Sequence, residues 1–205
     1  MYLVKTPAIL KPLAKDLLWH VETAQREVYF TFDDGPTPGV TEATLDLLKQ
    51  YNAKATFFCL GKNTEENPEL FSLIALEGHA VGNHTYDHPD GWNTSQIAYL
   101  RSVLRAKTTI TSNLFRPPYG RITPAQVSAL KNHFQLVMWD VLSADFDNAN
   151  SPQQCYENVV KNVNPGSIVV FHDSLKASTN MLFALERSLD YLSRDGYIFR
   201  ALSDT

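Results

Sequence analysis

The chain has 205 residues, of which 44% are hydrophobic and 20% charged, enough to bury one sizeable core and ordinary for a globular protein rather than a disordered or fibrous one. Its net charge of -4 is made of both signs scattered along the chain, so no basic stripe is present to neutralise phosphates, and nucleic acid is excluded as a partner. No window approaches the ~20 apolar residues of a membrane-spanning helix.

Taken in chain order, the first stretch carries Lys5, Lys11 and Lys15, which interrupt any apolar run long enough for a signal-peptide core. A cytoplasmic location is the expectation, with a secreted or periplasmic one if a leader has been trimmed. The first strand is expected over residues 28–33 and closes on Asp33-Asp34-Gly35-Pro36. Adjacent carboxylates at the end of a buried strand repel each other and are costly to desolvate unless a cation or strong donors compensate. A solvated turn is the alternative, since Asp-Gly-Pro is good turn chemistry. Val40, Thr44, Leu47, Leu48 and Tyr51 then share one helical face. A strand is expected over residues 55–61, followed by a helix that starts at Asn67-Pro68 and ends at Gly78.

The strand over residues 80–83 runs into His84-Thr85-Tyr86-Asp87-His88. In a helical turn this i, i+4 spacing puts both imidazoles on one face, within reach of one ion. A strand at residues 114–116 ends on Arg116. Thr123-Pro124-Ala125-Gln126 and Ser151-Pro152-Gln153-Gln154 both read as capping boxes with proline at the first helical position. Between them lies a strand over residues 136–141, followed by Asp145. A further strand spans residues 167–172 and ends on His172. Leu182, Leu185, Leu189 and Leu192 mark the last helix, and residues 197–201 the last strand. The two cysteines, Cys59 and Cys155, match no C-x-x-C spacing and read as buried free thiols. His20, His79 and His133 belong to no motif and read as structural or surface residues.

Strands of near-continuous apolar character alternating with helices favour parallel pairing in an α/β domain. Periodicity leaves a barrel and an open sheet equally possible. In either, strand C-terminal ends are where loops converge to build a site. Asp33, Asp34, His84, His88, Arg116, Asp145 and His172 all fall there. Asp34 with the two histidines makes two nitrogens and one oxygen, the donor set of an open catalytic zinc site.

These motifs, in this order between residues 28 and 172, resemble those of the polysaccharide deacetylases, the NodB-type carbohydrate esterases. Thr31-Phe32-Asp33-Asp34-Gly35-Pro36 matches the first motif and His84, Thr85 and His88 the second. Arg116-Pro117-Pro118-Tyr119-Gly120 matches the third, Asp145-Phe146 the fourth and Val170-Phe171-His172 the fifth. The resemblance implies a distorted barrel of about seven parallel strands, and one such homology domain over residues 1–205 with residues 1–26 as an N-terminal extension. It also implies the roles. Asp34, His84 and His88 would hold one divalent metal, with Zn2+ expected and Co2+, Ni2+ or Mn2+ as alternatives. Asp33 would be the general base, with Arg116 favouring its ionised form. His172 would be the general acid, paired with Asp145. The backbone N–H of Tyr119 would stabilise the oxyanion, while Phe146 and Val170 would line the pocket for the acetyl methyl. Phe146 stands where the family usually has tryptophan and Val170 where it usually has leucine, which leaves the pocket apolar and its shape open.

The implied activity is removal of N-acetyl groups from N-acetylglucosamine units of an oligo- or polysaccharide, of chitooligosaccharide or peptidoglycan type, with release of acetate. An O-acetyl sugar esterase is the second enzyme reading, and a carbohydrate-binding protein without catalysis is the alternative of another class. The expected partner is an acetylated glycan, and the oligomeric state is left open.

Overall fold

A computed structural model describes residues 2–7 and 15–203. Lys11 and the rest of residues 8–14, with Met1 and the last two residues, lie outside the described residues, so the expected extension over residues 1–26 and the expected domain over residues 1–205 are described only in part.

The strands and helices alternate along the chain. β1 (Leu17–Leu18) and β2 (Glu27–Asp33) lead into α1 (Val40–Gln50). β3 (Thr56–Cys59), α2 (Gly61–Glu66), α3 (Pro68–Leu76), β4 (Ala80–Asn83) and α4 (Gln96–Ala106) follow. Next come β5 (Leu114–Phe115), a 3-10 turn (Pro118–Gly120), α5 (Pro124–Leu130), β6 (Gln135–Val137) and β7 (Val141–Leu142). The chain closes with α6 (Pro152–Val160), β8 (Ile168–His172), α7 (Ser178–Arg194) and β9 (Ile198–Phe199).

The sheet order is β1-β6-β5-β4-β3-β2-β8-β7, with β9 added beside β2, and every one of these pairings is parallel. This is the distorted, open form of a parallel α/β barrel. The alternation along β2 sorts its side chains between two layers, as the pleat requires. Val28, Phe30 and Phe32 join the main core with Leu45, Leu185 and Leu189 of the covering helices. Tyr29 joins Phe58, Val137 and Ile168 in a second cluster, and above it on the same face of β2 stand Thr31 and Asp33.

Three expectations change. The run over residues 136–141 divides into β6 and β7, of which β7 is one end strand of the sheet order and β6 lies next to the other, β1. Between them Met138 N–H donates to Leu18 O at 2.7 Å and Asp140 N–H to Ile168 O at 2.9 Å, so the chain crosses from one side of the barrel to the other. Leu136-Val137-Met138-Trp139, with Val141 after Asp140, look like one strand, whereas the ladder partners that split the run come from distant segments. The capping box at Thr123 is complete, but the one at Ser151 is half made: Ser151 accepts from Gln154 N–H, while the Gln154 side chain donates to Asn158 Oδ1 at 3.0 Å. Asn67 precedes its helix without capping it, its amide donating instead to Asn63 O at 3.2 Å. Cys59 and Cys155 are free and buried.

Candidate active site

Asp33 ends β2 on the inner layer, where its side chain is almost wholly enclosed. Its partner is Arg116, just past β5 and 0% exposed. One guanidinium nitrogen donates to Asp33 Oδ1 and to Thr31 Oγ1, each at 2.7 Å. The other donates to Met138 O at 2.9 Å, and Nε donates to Val137 O at 3.4 Å. The ring of Phe58 lies against the guanidinium at 4.2 Å. A buried cation tolerates this position only because its donors are met and an anion faces it. For Asp33, burial alone would raise the carboxyl pKa, but Arg116, assisted by His84 and His172, holds it below the ordinary carboxylate value. The carboxylate stays ionised.

Asp34 turns the opposite way because its backbone is left-handed, at φ 83. That turn is fixed from behind. Asn63 donates to Asp34 O at 2.7 Å, Leu60 N–H donates to Gly35 O at 3.0 Å, and Gly35 N–H donates to Asp173 Oδ1 at 3.0 Å. The other oxygen of Asp173 accepts from Thr41 Oγ1 at 2.6 Å. A Cβ on Gly35 would lie 2.1 Å from that carboxylate, so the close approach requires glycine. Burial pushes the Asp173 carboxyl up to about 8.

The two histidines meet, but no helical turn brings them together. Residues 84–88 form an irregular bend in which Thr85 and His88 are both left-handed, at φ 69 and 60. The bend is tied by Asn83 Oδ1, which accepts from Thr85 N–H at 2.8 Å, and by Thr85 Oγ1, which accepts from His88 N–H at 3.1 Å. Hydrogen-bonding side chains offer the backbone such alternatives to a helix. His84 Nδ1 bonds to Arg116 O at 2.8 Å, and a carbonyl partner fixes that nitrogen as the donor, so Nε2 is the nitrogen left to ligate. Asp34 Oδ1 lies 3.3 Å from His88 Nε2 and 3.8 Å from His84 Nε2.

One ligand atom from each of Asp34, His84 and His88 lies within 4.8 Å of the others, a set that could hold a metal ion. Two further observations fit a cation there. Asp34 Oδ1 is buried without a hydrogen-bond partner among the described residues, an arrangement that costs free energy unless something compensates it. His88 is held neutral well into acid, its pKa pushed down to about 4 by burial and by the charge on His84, and neutral imidazole is the ligating form.

Across the β2/β8 ladder, Asp33 pairs in register with His172. Asp145 grips this histidine twice, at Nδ1 with Oδ1 at 2.7 Å and at the backbone N–H with Oδ2 at 2.8 Å. Burial opposes charge on the ring, but Asp145 outweighs it and holds the imidazolium up to a pKa of about 9. The ring of Phe146 meets His172 edge-on at 5.2 Å, and Val170 lies two residues before it on the same strand face, in a small cluster with Leu142 and Ala144. Tyr119 is left-handed at φ 58 and 61% exposed, its ring packed edge-on against His88 at 4.5 Å. The hydrogen bonds that hold its turn are donated by Gly120 and Arg121.

All these groups surround one cleft of about 980 Å³, lined by Asp33, Asp34, His84, His88, Tyr119 and His172 among others. Arg116 and Asp145 sit behind its wall, each holding a residue that faces it. Sequence reasoning missed several contributors. Asn83 and Asp173 act from beneath, and Asn63, Trp92, Arg121, Trp139 and Tyr2 line the cleft. Asp173 alone left a signal, as a carboxylate directly after a strand-end histidine. Among the described residues no helix is long and apolar enough to cross a membrane.

The family model for polysaccharide deacetylase matches residues 20–135. A peptidoglycan-N-acetylglucosamine deacetylase of Bacillus cereus is 36% identical over 193 residues, 91% of each chain. A chitooligosaccharide deacetylase of Azorhizobium caulinodans is 35% identical over 158 residues, 73% of this chain and 74% of that one. Among solved structures, a peptidoglycan N-acetylglucosamine deacetylase in complex with 4-naphthalen-1-yl-N-oxidanyl-benzamide superposes with a TM-score of 0.87 at 32% identity, covering 96% of this chain and 95% of that one.

Proposed function

The chain belongs to the polysaccharide deacetylase family, and we propose that it hydrolyses the N-acetyl groups of N-acetylglucosamine units in a peptidoglycan- or chitin-type glycan, releasing acetate. One observation carries this reading: a carboxylate held ionised by Arg116 and an imidazole held protonated by Asp145 face one cleft from neighbouring strands, beside the Asp34, His84 and His88 cluster.

Asp34, His84 and His88 would hold a divalent cation, and zinc suits two nitrogens and one oxygen, while cobalt, nickel or manganese suit the same donors. Such a cation, when bound, supplies Lewis acidity that polarises a carbonyl and eases loss of a proton from water. Asp33 takes the proton of the attacking water, for which its depressed pKa keeps it ready at neutral pH. The tetrahedral intermediate carries a new oxyanion, and the N–H of Tyr119 is suited to it because the bonds of that turn are donated by its neighbours. His172 then protonates the leaving nitrogen, which an amide requires and which the Asp145 pair keeps it charged to do. Phe146 and Val170 form the apolar side of the acetyl pocket. A peptidoglycan-type substrate lies outside the cytoplasm, which sets this reading against the cytoplasmic expectation.

The test is acetate release from acetylated chitin oligomers and peptidoglycan fragments, with metal content measured alongside. Asp33→Asn is expected to abolish release with metal retained, and His84→Ala to lose both. Wild-type turnover in Asp33→Asn would remove Asp33 as the base.

A further inference from the structure

The chain segment over residues 2–7 lies outside every motif of the site, yet it is built into the cleft. Its backbone lies antiparallel to β7, bridging Lys5 to Val141, with Leu142 N–H donating to Val4 O at 2.8 Å and Thr6 N–H to Asp140 O at 2.9 Å. Lys5 fastens it further by donating to the buried carboxylate of Asp140 at 2.6 Å and to Asn162 O at 2.7 Å. The hydroxyl of Thr6 donates to Trp139 O at 2.8 Å.

At the outer end, Tyr2 is fixed in place by its hydroxyl, which donates to Asp147 at 2.7 Å and accepts from Asn150 at 2.9 Å. Its ring stands edge-on to Phe146 at 5.3 Å, and Phe146 in turn packs on His172. Tyr2 and Leu3 both line the cleft, and Leu3 keeps 57% of its surface exposed there. An anchored backbone that presents an aromatic ring and an apolar side chain into an open cleft beside charged groups resembles a recognition surface more than core packing. A sugar ring suits it, because its axial C–H face is apolar while its hydroxyls point to the rim.

We propose that the strap over residues 2–7 is one wall of a glycan subsite, in which Tyr2 and Leu3 carry the sugar ring that adjoins the unit being deacetylated. This rests on the deacetylase reading for the identity of the ligand, and the two fail in different experiments.

Binding is measured by calorimetry in an Asp33→Asn background, titrating N-acetylglucosamine and its β-1,4-linked tetramer. Leu3→Ser and Tyr2→Ala are each expected to weaken the tetramer five- to tenfold and the monomer less than twofold. Leu3→Ser removes only an exposed apolar group, so it keeps the question answerable if Tyr2→Ala disturbs the strap. Unchanged tetramer affinity in both variants, or equal losses for monomer and tetramer, would overturn the proposal. Acetate release by the chain with Asp33 intact, on the same tetramer, tests the activity separately. Release with strap-independent binding sinks the strap alone, whereas strap-dependent binding without release sinks the activity and leaves the subsite standing.

Discussion

Arg116→Met isolates the ion pair that holds Asp33, the proposed base. The guanidinium is 0% exposed and its anion, Asp33, 4% exposed, so removal of the cation leaves a buried carboxylate uncompensated, which costs ~3–5 kcal/mol. The carbonyls of Val137 and Met138 lose a donor as well, which places the loss in the upper part of that range. At roughly 2–4 °C per kcal/mol for a domain of this size, a loss of ~4–5 kcal/mol should lower the melting temperature by about 8–20 °C. The dependence on pH follows from the sign of the shift. In the native protein the Asp33 pKa lies below its ordinary value, so the pairing contributes stability above about pH 4 and loses it as pH falls through the lower, folded pKa. Without Arg116, burial is opposed only by the weaker pull of His84 and His172, and that pKa rises. The variant is then penalised most at neutral pH, and its deficit relative to wild type narrows below about pH 5. Urea unfolding of metal-free protein at about pH 7 and about pH 4 reads both effects, and a double-mutant cycle with Asp33→Asn should recover on the order of 2 kcal/mol, because the second change removes the stranded charge. A loss under about 1 kcal/mol in Arg116→Met, with no coupling to Asp33→Asn, would refute the claim that this pair is what keeps Asp33 ionised.

Gly35→Ala should cost ~1–3 kcal/mol by overpacking against the Asp173 carboxylate, and Asp173→Ser in the same chain should return part of it; chemical denaturation decides, and no recovery would mean that the strain lies elsewhere. Asp145→Asn removes the charge that holds His172 up to about 9, so the alkaline limb of kcat/KM should move down by a unit or more, whereas a limb that stays in place would assign it to another group. His79 is buried, which together with Lys54 pushes its pKa down to about 4, and its Nδ1 accepts from Ala55 N–H at 3.2 Å, as only the neutral ring can. The unfolded chain binds that proton first, so stability should fall by about 2 kcal/mol between pH 7 and pH 5. His79→Gln should flatten this slope; parallel slopes in the two proteins would show that a different group titrates.

What could be read in the sequence was what local pattern controls. The strand at residues 80–83 and the α5 cap at Thr123 depend on neighbours within a few positions, and the chemistry-bearing residues fall at strand ends because parallel α/β topology puts them there. β1 escaped notice because two residues carry no period, and they pair with β6 more than a hundred positions away. The geometry of His84 and His88 was misjudged for a related reason: i, i+4 spacing describes a helix, while Asn83 and Thr85 use side chains to hold a bend that delivers the same two rings.

The residues that hold the site differ in kind from those that face it. Asp33, Asp34 and His172 announce themselves because charge at the end of an apolar strand is anomalous wherever it occurs. Thr41 and Asn63 are unremarkable in sequence, and each serves the site through a contact with a distant segment: Thr41 donates to Asp173, and Asn63 donates to Asp34 O. Such a residue has no local signature, since its role is set by where a distant segment arrives. Residues 2–7 carry this furthest. They contain a lysine where a signal-peptide core would need apolar residues and no motif of the site, and only the docking of Lys5 on Asp140 and Tyr2 on Asp147 brings them to the cleft. Chemistry is therefore legible from residue type, whereas substrate selection, which depends on which segments line the cleft, requires the fold.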